Sequence, residues 1–261
     1  MPETISNKAA FVTGASRGIG AETAKILSQE GYNVALGYQD PRKEKRVRAV
    51  VEYIESLGCK AIPVRGDITN EEDLNNISST LMDWLPLNAI ILNAAGGLEK
   101  ERVDADPNYA IRINRDAQLK LLVSLIPQLA KDSSVLFITS HWSHKYGEVE
   151  LPPFDYNPIA SSKRLGEIVL RLKQDALIEV GSRLIVVTAG LVTGTFVGDA
   201  AIRRFPDFAQ QQQEMGNIIT AHDVGERIVK LIEDAGLLSG HTEWIGANEA
   251  TFMQQSMLKF D

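Results

Sequence analysis

The chain has 261 residues, with 27 Lys and Arg against 34 Asp and Glu, so its formal net charge at neutral pH is −7. A negative charge argues against a nucleic acid or an anionic membrane surface as partner, since phosphates attract lysine and arginine. The single cysteine, Cys59, excludes an intrachain disulfide, and no apolar run approaches the roughly 18 residues of a membrane span. With no signal-peptide pattern at the start, we expect a cytoplasmic globular protein.

Short apolar runs alternate with longer amphipathic stretches along the chain. The runs predict strands at residues 9–13, 34–38, 61–64, 89–92, 135–139, 184–187 and 243–245. The stretches between them predict helices at residues 19–30, 41–57, 71–84, 106–130, 157–180, 199–215 and 222–234. Strands this apolar are typical of a parallel sheet that helices cover on both faces. We therefore expect one domain over residues 1–261, a doubly wound, mostly parallel seven-stranded α/β sheet in three layers.

Three glycines lie between the first strand and the first helix, in the spacing G-x-x-x-G-x-G. A dinucleotide pyrophosphate needs the free N–H groups of a helix N-terminus and backbone without Cβ atoms that would block its approach. Glycine turns are common, but the strand–turn–helix context makes this one specific. The turn therefore predicts a dinucleotide site of the Rossmann type. The expected contacts come from Gly14, Ser16, Arg17, Gly18, Ile19 and Gly20.

With T-G-x-x-x-G-x-G at 13–20, the sequence resembles the short-chain dehydrogenases/reductases along nearly its whole length. Asn93-Ala94-Ala95-Gly96, after the fourth strand, is similar to the N-A-G motif of that family. Asp67, after the third strand, matches the family residue at the adenine ring. Ala189-Gly190 stands where the family usually has P-G, and a threonine follows that can bond the carboxamide. The resemblance implies cofactor contacts from Asp67, Ile68, Asn93, Ala94, Gly96, Lys163, Gly190, and Thr193 or Thr195.

The residues after the second strand favour NADP(H) over NAD(H). In Rossmann folds an acidic residue at this place holds the ribose 2′-OH, whereas basic residues accept a 2′-phosphate. The acidic position falls at Tyr38, which does not repel a phosphate, and Arg17, Arg42 and Lys43 are close in sequence. Tyr38 and Arg42 are the cofactor contacts expected here. Asp40 is the opposing signal, and a solvated helix face is the other interpretation of the charges at 42–48.

The resemblance implies an Asn–Ser–Tyr–Lys catalytic set, of which three members stand at matching positions. Asn114 matches the asparagine, Ser140 the serine that bonds the substrate oxygen, and Lys163 the lysine that binds the nicotinamide ribose and lowers the tyrosine pKa. The family tyrosine lies four residues before the lysine, and that position is Ile159. Isoleucine carries no proton, so the usual general acid/base is absent from its usual place.

Tyr156 is the nearest replacement for that acid. Its seven-residue separation from Lys163 spans roughly 10 Å on a helix, against roughly 6 Å for the usual four. Pro158 predicts that Tyr156 precedes the helix, where it either folds over the nicotinamide or packs in the segment 151–154.

His141 and His144, directly after Ser140, are alternative proton donors because histidine titrates near neutrality. No cysteine or nearby carboxylate cluster completes a metal site with them, so we expect none. The polar segment 194–216 stands in the place of the family's substrate lid, which orders on binding, and a plain surface helix is the alternative interpretation.

Three functions agree with these patterns. The first is an NADP(H)-dependent oxidoreductase that acts on a small carbonyl or alcohol substrate through a rearranged proton donor. The second, suggested by Ile159, is a non-redox NADP(H)-binding sensor, and the third is a lyase, dehydratase or cyclase that uses His141, His144 and Tyr156 as acids or bases. The intact cofactor motifs favour the first. The resemblance also implies a homodimer or homotetramer, and the pattern does not predict which substrate is used.

Overall fold

The structure is a computed structural model that describes residues 8–84 and 86–257. Its strands, numbered along the chain, are β1 (Ala9–Val12), β2 (Asn33–Tyr38), β3 (Ala61–Arg65), β4 (Leu87–Leu92), β5 (Leu129–Ser140), β6 (Arg183–Ala189), β7 (Leu191–Thr193), β8 (Ile218–Thr220) and β9 (Thr242–Ile245). Seven of them form one parallel sheet in the order β3-β2-β1-β4-β5-β6-β9, and β7 pairs with β8. The predicted seven-stranded sheet is confirmed.

Helices flank this sheet on both sides. They are α1 (Gly18–Gln29), α2 (Glu44–Ser56), α3 (Glu71–Leu81), α4 (Lys100–Ala105), α5 (Tyr109–Ile111), α6 (Ala117–Leu125), α7 (His141–His144), α8 (Asn157–Arg171), α9 (Gln174–Glu179), α10 (Phe196–Arg204), α11 (Pro206–Glu214), α12 (Ala221–Glu233) and α13 (Glu249–Ser256). A π-helical turn, Arg112–Asp116, joins α5 to α6, and 3₁₀ turns occupy Pro41–Lys43, Met82–Trp84 and Ile126–Gln128.

The three layers follow from the two-residue alternation of the strands. In β1, Ala10 and Val12 belong to a core with α1, α2 and α12, whereas Ala9 and Phe11 belong to a second core with α3, α6 and α8. Successive side chains of a strand point to opposite faces, so a fully apolar strand contributes side chains to both cores. The sheet is therefore held between two helical layers, and its strand ends are fixed relative to one another.

The helix predicted over residues 106–130 is wrong at both ends. Proline at position 107 separates α4 from α5, because the residue before a proline disfavours helical backbone. Pro127 has no N–H to continue the ladder, so α6 ends at Leu125. β5 already starts at Leu129, and its register against β4 shifts near Leu87. The predicted helix over 157–180 likewise ends early, at Arg171.

The segment predicted as one helix over 199–215 is two helices, because Pro206 starts α11. The strands β7 and β8 and the helices α7 and α13 were missed, since three to eight residues are too few to show a period. Asn70 caps α3, with its side chain accepting the N–H of Asp73 at 3.0 Å. Within the described ranges no helix has the length and apolar character needed to cross a bilayer.

Candidate active site

A groove opens at the carboxyl ends of β1 and β4, where the strand order reverses. This is the position at which doubly wound sheets bind their ligands. The groove consists of two cavities, one of about 270 Å³ beside the turn at Gly14–Gly18 (the glycine-turn cavity) and one of about 500 Å³ beside Ser140 and Tyr156 (the tyrosine cavity). Both are lined by Arg17, Ile19, Asn93, Ala95 and Thr195, so they are continuous.

The glycine turn has no room for side chains. Gly14 and Gly18 have φ values of +67° and +58°, which favour glycine. A Cβ atom on Gly20 would lie 2.6 Å from the carbonyl oxygen of Gly14 and 2.7 Å from Nδ2 of Asn93. At the start of α1, the side chain of the N-cap residue Arg17 makes no hydrogen bond with the first turn. Bare backbone at an uncapped helix N-terminus fits a pyrophosphate.

Thr13 ties the glycine turn to the segment after β4. Its Oγ1 donates to the carbonyl of Ile91 at 3.1 Å and accepts the N–H groups of Asn93 and Ala94, both at 2.9 Å. Nδ2 of Asn93 donates in return to the carbonyl of Thr13 at 3.0 Å. The two loops therefore form one rigid floor. Asn93 and Ala94, which the sequence assigned to the cofactor, line the glycine-turn cavity.

Tyr38, Asp67 and Ile68 line the end of the glycine-turn cavity beneath β2 and β3. Burial by itself raises the pKa of Asp67, but hydrogen bonds from Thr69, Gln39 and Arg102 outweigh it and hold that pKa below its usual range. Asp67 is consequently a carboxylate, able to accept the N–H groups of a base edge.

Two cations face the groove close to each other. The guanidinium of Arg17 lies over the ring of Phe196, 5.1 Å from its centroid, and Lys43 lines both cavities. Burial and the charge of Arg17 both lower the pKa of Lys43. Arg42, which the sequence favoured, instead pairs with Asp40 at 3.0 Å with 88% of its side chain exposed, and it lines the tyrosine cavity only. Residues of a 3₁₀ turn point about 120° apart, so one of two adjacent cations faces solvent.

The hydroxyl of Tyr156 lies within the tyrosine cavity. It donates to Oγ of Ser140 at 3.0 Å, and Oγ of Ser140 lies 2.8 Å from Oγ of Ser143. Tyr156 precedes α8 as its N-cap, as Pro158 predicted. Burial raises the pKa of Tyr156 against the hydrogen bonds with Ser140 and Ser143, which lower it. The phenol therefore keeps its proton at neutral pH. Ser143 was not foreseen from the sequence.

Lys163 and Ile159 line the same cavity from α8. Nζ of Lys163 donates to the carbonyl of Ile138 at 3.0 Å, and burial lowers its pKa to about 8. The ammonium is thus predominantly charged at neutral pH. The pKa of Tyr156 is raised, which is the opposite direction to the lysine effect that the resemblance implies.

The depressed pKa of Lys163 predicts a pH-dependent stability for the protein without cofactor. An unfolded lysine keeps its proton up to about 10.5, whereas the folded one loses it near 8. Between these values the unfolded chain binds more protons, so this group makes the free energy of unfolding rise with pH. We therefore expect the difference in the free energy of unfolding between the wild type and Lys163→Met, measured by urea unfolding, to shift in favour of the wild type as pH rises across that interval. A difference that stays constant with pH contradicts the assignment.

Asn114 and Gly20 do not line either cavity, but they contact the segments that do. Asn114 lies in the π-helical turn, where its Nδ2 donates to the carbonyl of Gly96 at 2.8 Å and to Oγ of Ser162 at 2.9 Å. A Cβ atom on Gly166 would lie 2.1 Å from the carbonyl oxygen of Asn114, so α8 crosses this turn at backbone contact. Asn114 therefore joins the loop after β4 to the helix that carries Lys163.

The structure places both histidines outside the two cavities. His141 is fully buried, with its ring centroid 4.4 Å from that of Trp244, and burial lowers its pKa to about 3. Nδ1 of His144 lies 2.8 Å from a carboxylate oxygen of Glu167. Thr193 is also turned away, because its hydroxyl donates to the carbonyl of Ile219 at 3.2 Å.

The segment at 194–216 begins at the mouth of the groove. Thr195 lines both cavities, and its Oγ1 accepts the N–H of Gly198 at 3.1 Å to start α10. Phe196 and Val197, the first residues of α10, also line both. Gly190 lines the tyrosine cavity from the end of β6, where Asn217 lies 2.1 Å from any added Cβ. This segment is the pair α10 and α11 rather than one helix.

The fold and the glycine cradle are those of a Rossmann-type α/β protein. A family model described as Enoyl-(Acyl carrier protein) reductase matches residues 14–244. The chain belongs to this family, within the short-chain dehydrogenases/reductases.

Curated relatives match over part of their length. A 3-oxoacyl-[acyl-carrier-protein] reductase FabG of Staphylococcus epidermidis is 33% identical over 90 residues, 34% of this chain and 36% of the relative. A 2,5-dichloro-2,5-cyclohexadiene-1,4-diol dehydrogenase LinX of Sphingobium indicum is 28% identical over 147 residues, 54% of this chain and 57% of the relative. These alignments therefore span about a third to just over half of the relatives.

Solved structures match over nearly the whole chain. A dehydrogenase/reductase from Sinorhizobium meliloti is 25% identical with a TM-score of 0.72, covering 94% of this chain and 96% of that one. A short-chain dehydrogenase from Burkholderia cenocepacia in complex with NADP is 23% identical with a TM-score of 0.76, covering 94% and 98%. The second likeness shows the fold alone.

Proposed function

We propose that this protein is an NADP(H)-dependent oxidoreductase that interconverts a carbonyl and an alcohol on a small molecule, with Tyr156 as the proton donor. The observation that carries the proposal is the 3.0 Å hydrogen bond from Tyr156 to Ser140, inside the cavity that Lys163 also lines. A buried phenol that keeps its proton, next to a second hydroxyl, suits the protonation of a carbonyl oxygen. The relatives named as a reductase and a dehydrogenase support this class of reaction.

The groove fits a nicotinamide dinucleotide. The bare turn at Gly14 and Gly18 and the start of α1 would hold the pyrophosphate, and Asp67 would accept from the adenine. Arg17 and Lys43 supply two positive charges for a 2′-phosphate. Neighbours described with NADP or NADPH support this preference, although a 7α-hydroxysteroid dehydrogenase neighbour is described with NADH. When bound, the reduced dinucleotide supplies the hydride.

The protein's own groups handle the substrate oxygen and the proton. Ser140 and Tyr156 would each donate to the carbonyl oxygen, which fixes its position and stabilises the negative charge that develops on it. The proton of Tyr156 would then move to that oxygen. The hydroxyl of Ser140 would turn from the product to the phenolate, and a proton from solvent would restore the phenol before the next turnover. Ser143 remains bonded to Ser140 and orients its hydroxyl. Oxidation of the alcohol runs through the same groups in the reverse sense.

The other two functions have weaker support. A lyase or dehydratase based on the histidines lacks a reacting group, since His141 is enclosed by aromatic rings and His144 pairs with Glu167. A sensor that only binds the dinucleotide does not require the buried hydrogen bond between Tyr156 and Ser140 in the tyrosine cavity. The deciding experiment follows the oxidation of NADPH in the presence of a neutral ketone. Binding without oxidation supports the sensor, and product formed without oxidation supports the lyase.

Lys43→Ala is expected to weaken NADPH binding roughly tenfold or more, because a hydrogen bond between charged groups contributes about 1.5–3 kcal/mol. The affinity for NADH, which has no 2′-phosphate, should fall less than threefold. Arg42→Ala is the matched control, since it removes the neighbouring cation of the same turn, which is exposed and paired with Asp40. Calorimetric titration with both dinucleotides measures the effect. Equal losses for NADPH and NADH, or an equal loss in the Arg42 variant, contradict the assignment.

A further inference from the structure

The charges that line the tyrosine cavity are gathered at one end. Arg17, Lys43 and Glu99 also line the glycine-turn cavity, and the exposed pair of Asp40 and Arg42 is adjacent to Lys43 in the chain. Among the described residues that line the other end, beyond the hydroxyl of Tyr156, Lys163 alone carries a charge, and it is bonded to a backbone carbonyl. A substrate therefore meets charge on the dinucleotide side and an apolar surface on the other.

That surface is an aromatic wall made of Trp142, Phe154 and Tyr156. The ring of Tyr156 stands edge-on to both others, with centroids 6.4 Å from Trp142 and 5.5 Å from Phe154. Behind the wall, Phe205 stacks on Phe154 at 5.7 Å and Phe208 lies 5.9 Å from Trp142. Rings supported in this way keep their orientation, so they present fixed faces and edges for an offset or edge-to-face contact with another ring.

The lining also has an aliphatic part, which includes the position that departs from the family pattern. Ile159 and Leu191 line the cavity and belong to the same hydrophobic cluster as Trp142 and Tyr156, so the displaced tyrosine leaves a branched alkyl group in place of a phenol. The hydroxyls of Ser140 and Tyr156 satisfy one substrate oxygen. A second polar substituent that packed against these apolar side chains would lose hydrogen bonds to water, and an ionised carboxylate would lose much more solvation.

We propose that the substrate of this site is an uncharged ketone, or the matching secondary alcohol, whose carbonyl carbon belongs to or adjoins a ring that packs on the aromatic wall and the neighbouring aliphatic side chains. The proposal rests on the proposed reductase function. It excludes carboxylated ketones and short 3-oxoacyl thioesters as preferred substrates. A thioester would place a flexible polar chain against Trp142, Phe154 and Leu191, which offer it apolar surface.

Three probes test the proposal with the NADPH-loaded protein. They are 1-tetralone as the neutral bicyclic ketone, a tetralone that carries a carboxylate on its aromatic ring, and acetoacetyl-CoA as the thioester. We expect kcat/KM for 1-tetralone to exceed that of either other probe at least tenfold. Calorimetric titration of the corresponding alcohols gives a readout independent of turnover, and only the neutral alcohol should bind.

Leu98 provides a charge-swap variant on the same cavity, because it lines the cavity and is 38% exposed, so a long polar side chain is tolerated there. Leu98→Arg should raise kcat/KM for the carboxylated tetralone, relative to the neutral one, about tenfold. The matched variant Leu98→Gln adds polarity without charge and should leave that ratio within about threefold of wild type.

Equal use of the carboxylated ketone or the thioester by the wild type overturns the inference about the substrate class, as does an unchanged ratio in Leu98→Arg. A different result separates the two proposals. If no probe oxidises NADPH while the dinucleotide and the neutral alcohol both bind, the reductase function fails and the ligand class stands.

Discussion

Tyr156→Phe is expected to lower kcat for ketone reduction by about 10²–10⁴-fold, since a positioned general acid contributes that much. The phenylalanine ring keeps the contacts with Trp142 and Phe154, so the change removes only the hydroxyl that donates to Ser140 at 3.0 Å. The affinity for NADPH should stay within about threefold, because the phenol lies outside the glycine-turn cavity. Steady-state oxidation of NADPH with a neutral ketone measures kcat, and calorimetry measures the affinity.

Tyr146→Phe is the control for that experiment. Its hydroxyl donates to Oδ1 of Asn157 at 2.8 Å on the exposed side of the same segment, so it removes an equivalent bond away from the cavity. We expect its kcat to match wild type. Should Tyr156→Phe retain full kcat, Tyr156 is not the donor, and the proton must reach the carbonyl oxygen through Ser140 or from solvent.

The cofactor half of the site was predictable because its signals are local. The spacing of Gly14, Gly18 and Gly20 between a strand and a helix already specifies a turn without Cβ atoms, and the loop after β4 joins it through Thr13. The apolar runs likewise predicted all seven strands of the sheet. The prolines at 107 and 127 were present in the sequence, but the amphipathic pattern across them outweighed their effect in the prediction of one long helix.

The contact between Tyr156 and Ser140 was not predictable because it depends on where distant segments meet. Tyr156 reaches Ser140 because the segment before α8 returns to the end of β5, and nothing in the spacing specifies that path. His141 and Ser140 are neighbours in sequence, yet adjacent residues on leaving a strand point apart, and His141 enters a core with Trp244 instead. The contact of Ser143 with Ser140 was not predictable for the same reason.

The sequence singled out Arg42, and the different placement of Arg42 and Lys43 was not predictable for a related reason. Both follow β2 within five residues of Tyr38, and the 3₁₀ turn at Pro41–Lys43 decides that Lys43 alone of the two lines the glycine-turn cavity. The carboxylate of Asp40 caps that turn by accepting the backbone N–H of Arg42, and it also accepts a hydrogen bond from the guanidinium of Arg42. Asp40, whose negative charge argued against NADP(H) in the sequence, therefore pairs with an exposed arginine. Lys43 remains beside Arg17.

Gly20→Ala is expected to weaken the binding of NADPH and NADH alike, by about a hundredfold or more. The added methyl would lie 2.6 Å from the carbonyl oxygen of Gly14 and 2.7 Å from Nδ2 of Asn93, and Thr13 holds both loops in place. The turn must open to relieve this contact, which moves the N–H groups at the start of α1. The loss of two charge-assisted hydrogen bonds of about 1.5–3 kcal/mol each accounts for the magnitude.

Gly236→Ala is the matched substitution, because its added Cβ has only the flexible Oδ1 of Asp234 nearby, at 3.3 Å. Thermal unfolding without ligand reports whether Gly20→Ala still folds, and the rise of Tm on adding NADPH reports binding in the same experiment. A folded Gly20→Ala that keeps the full ligand-induced rise would show that the pyrophosphate does not rest on this turn. The reductase and the sensor would then both lose their basis, since each requires a dinucleotide at the start of α1.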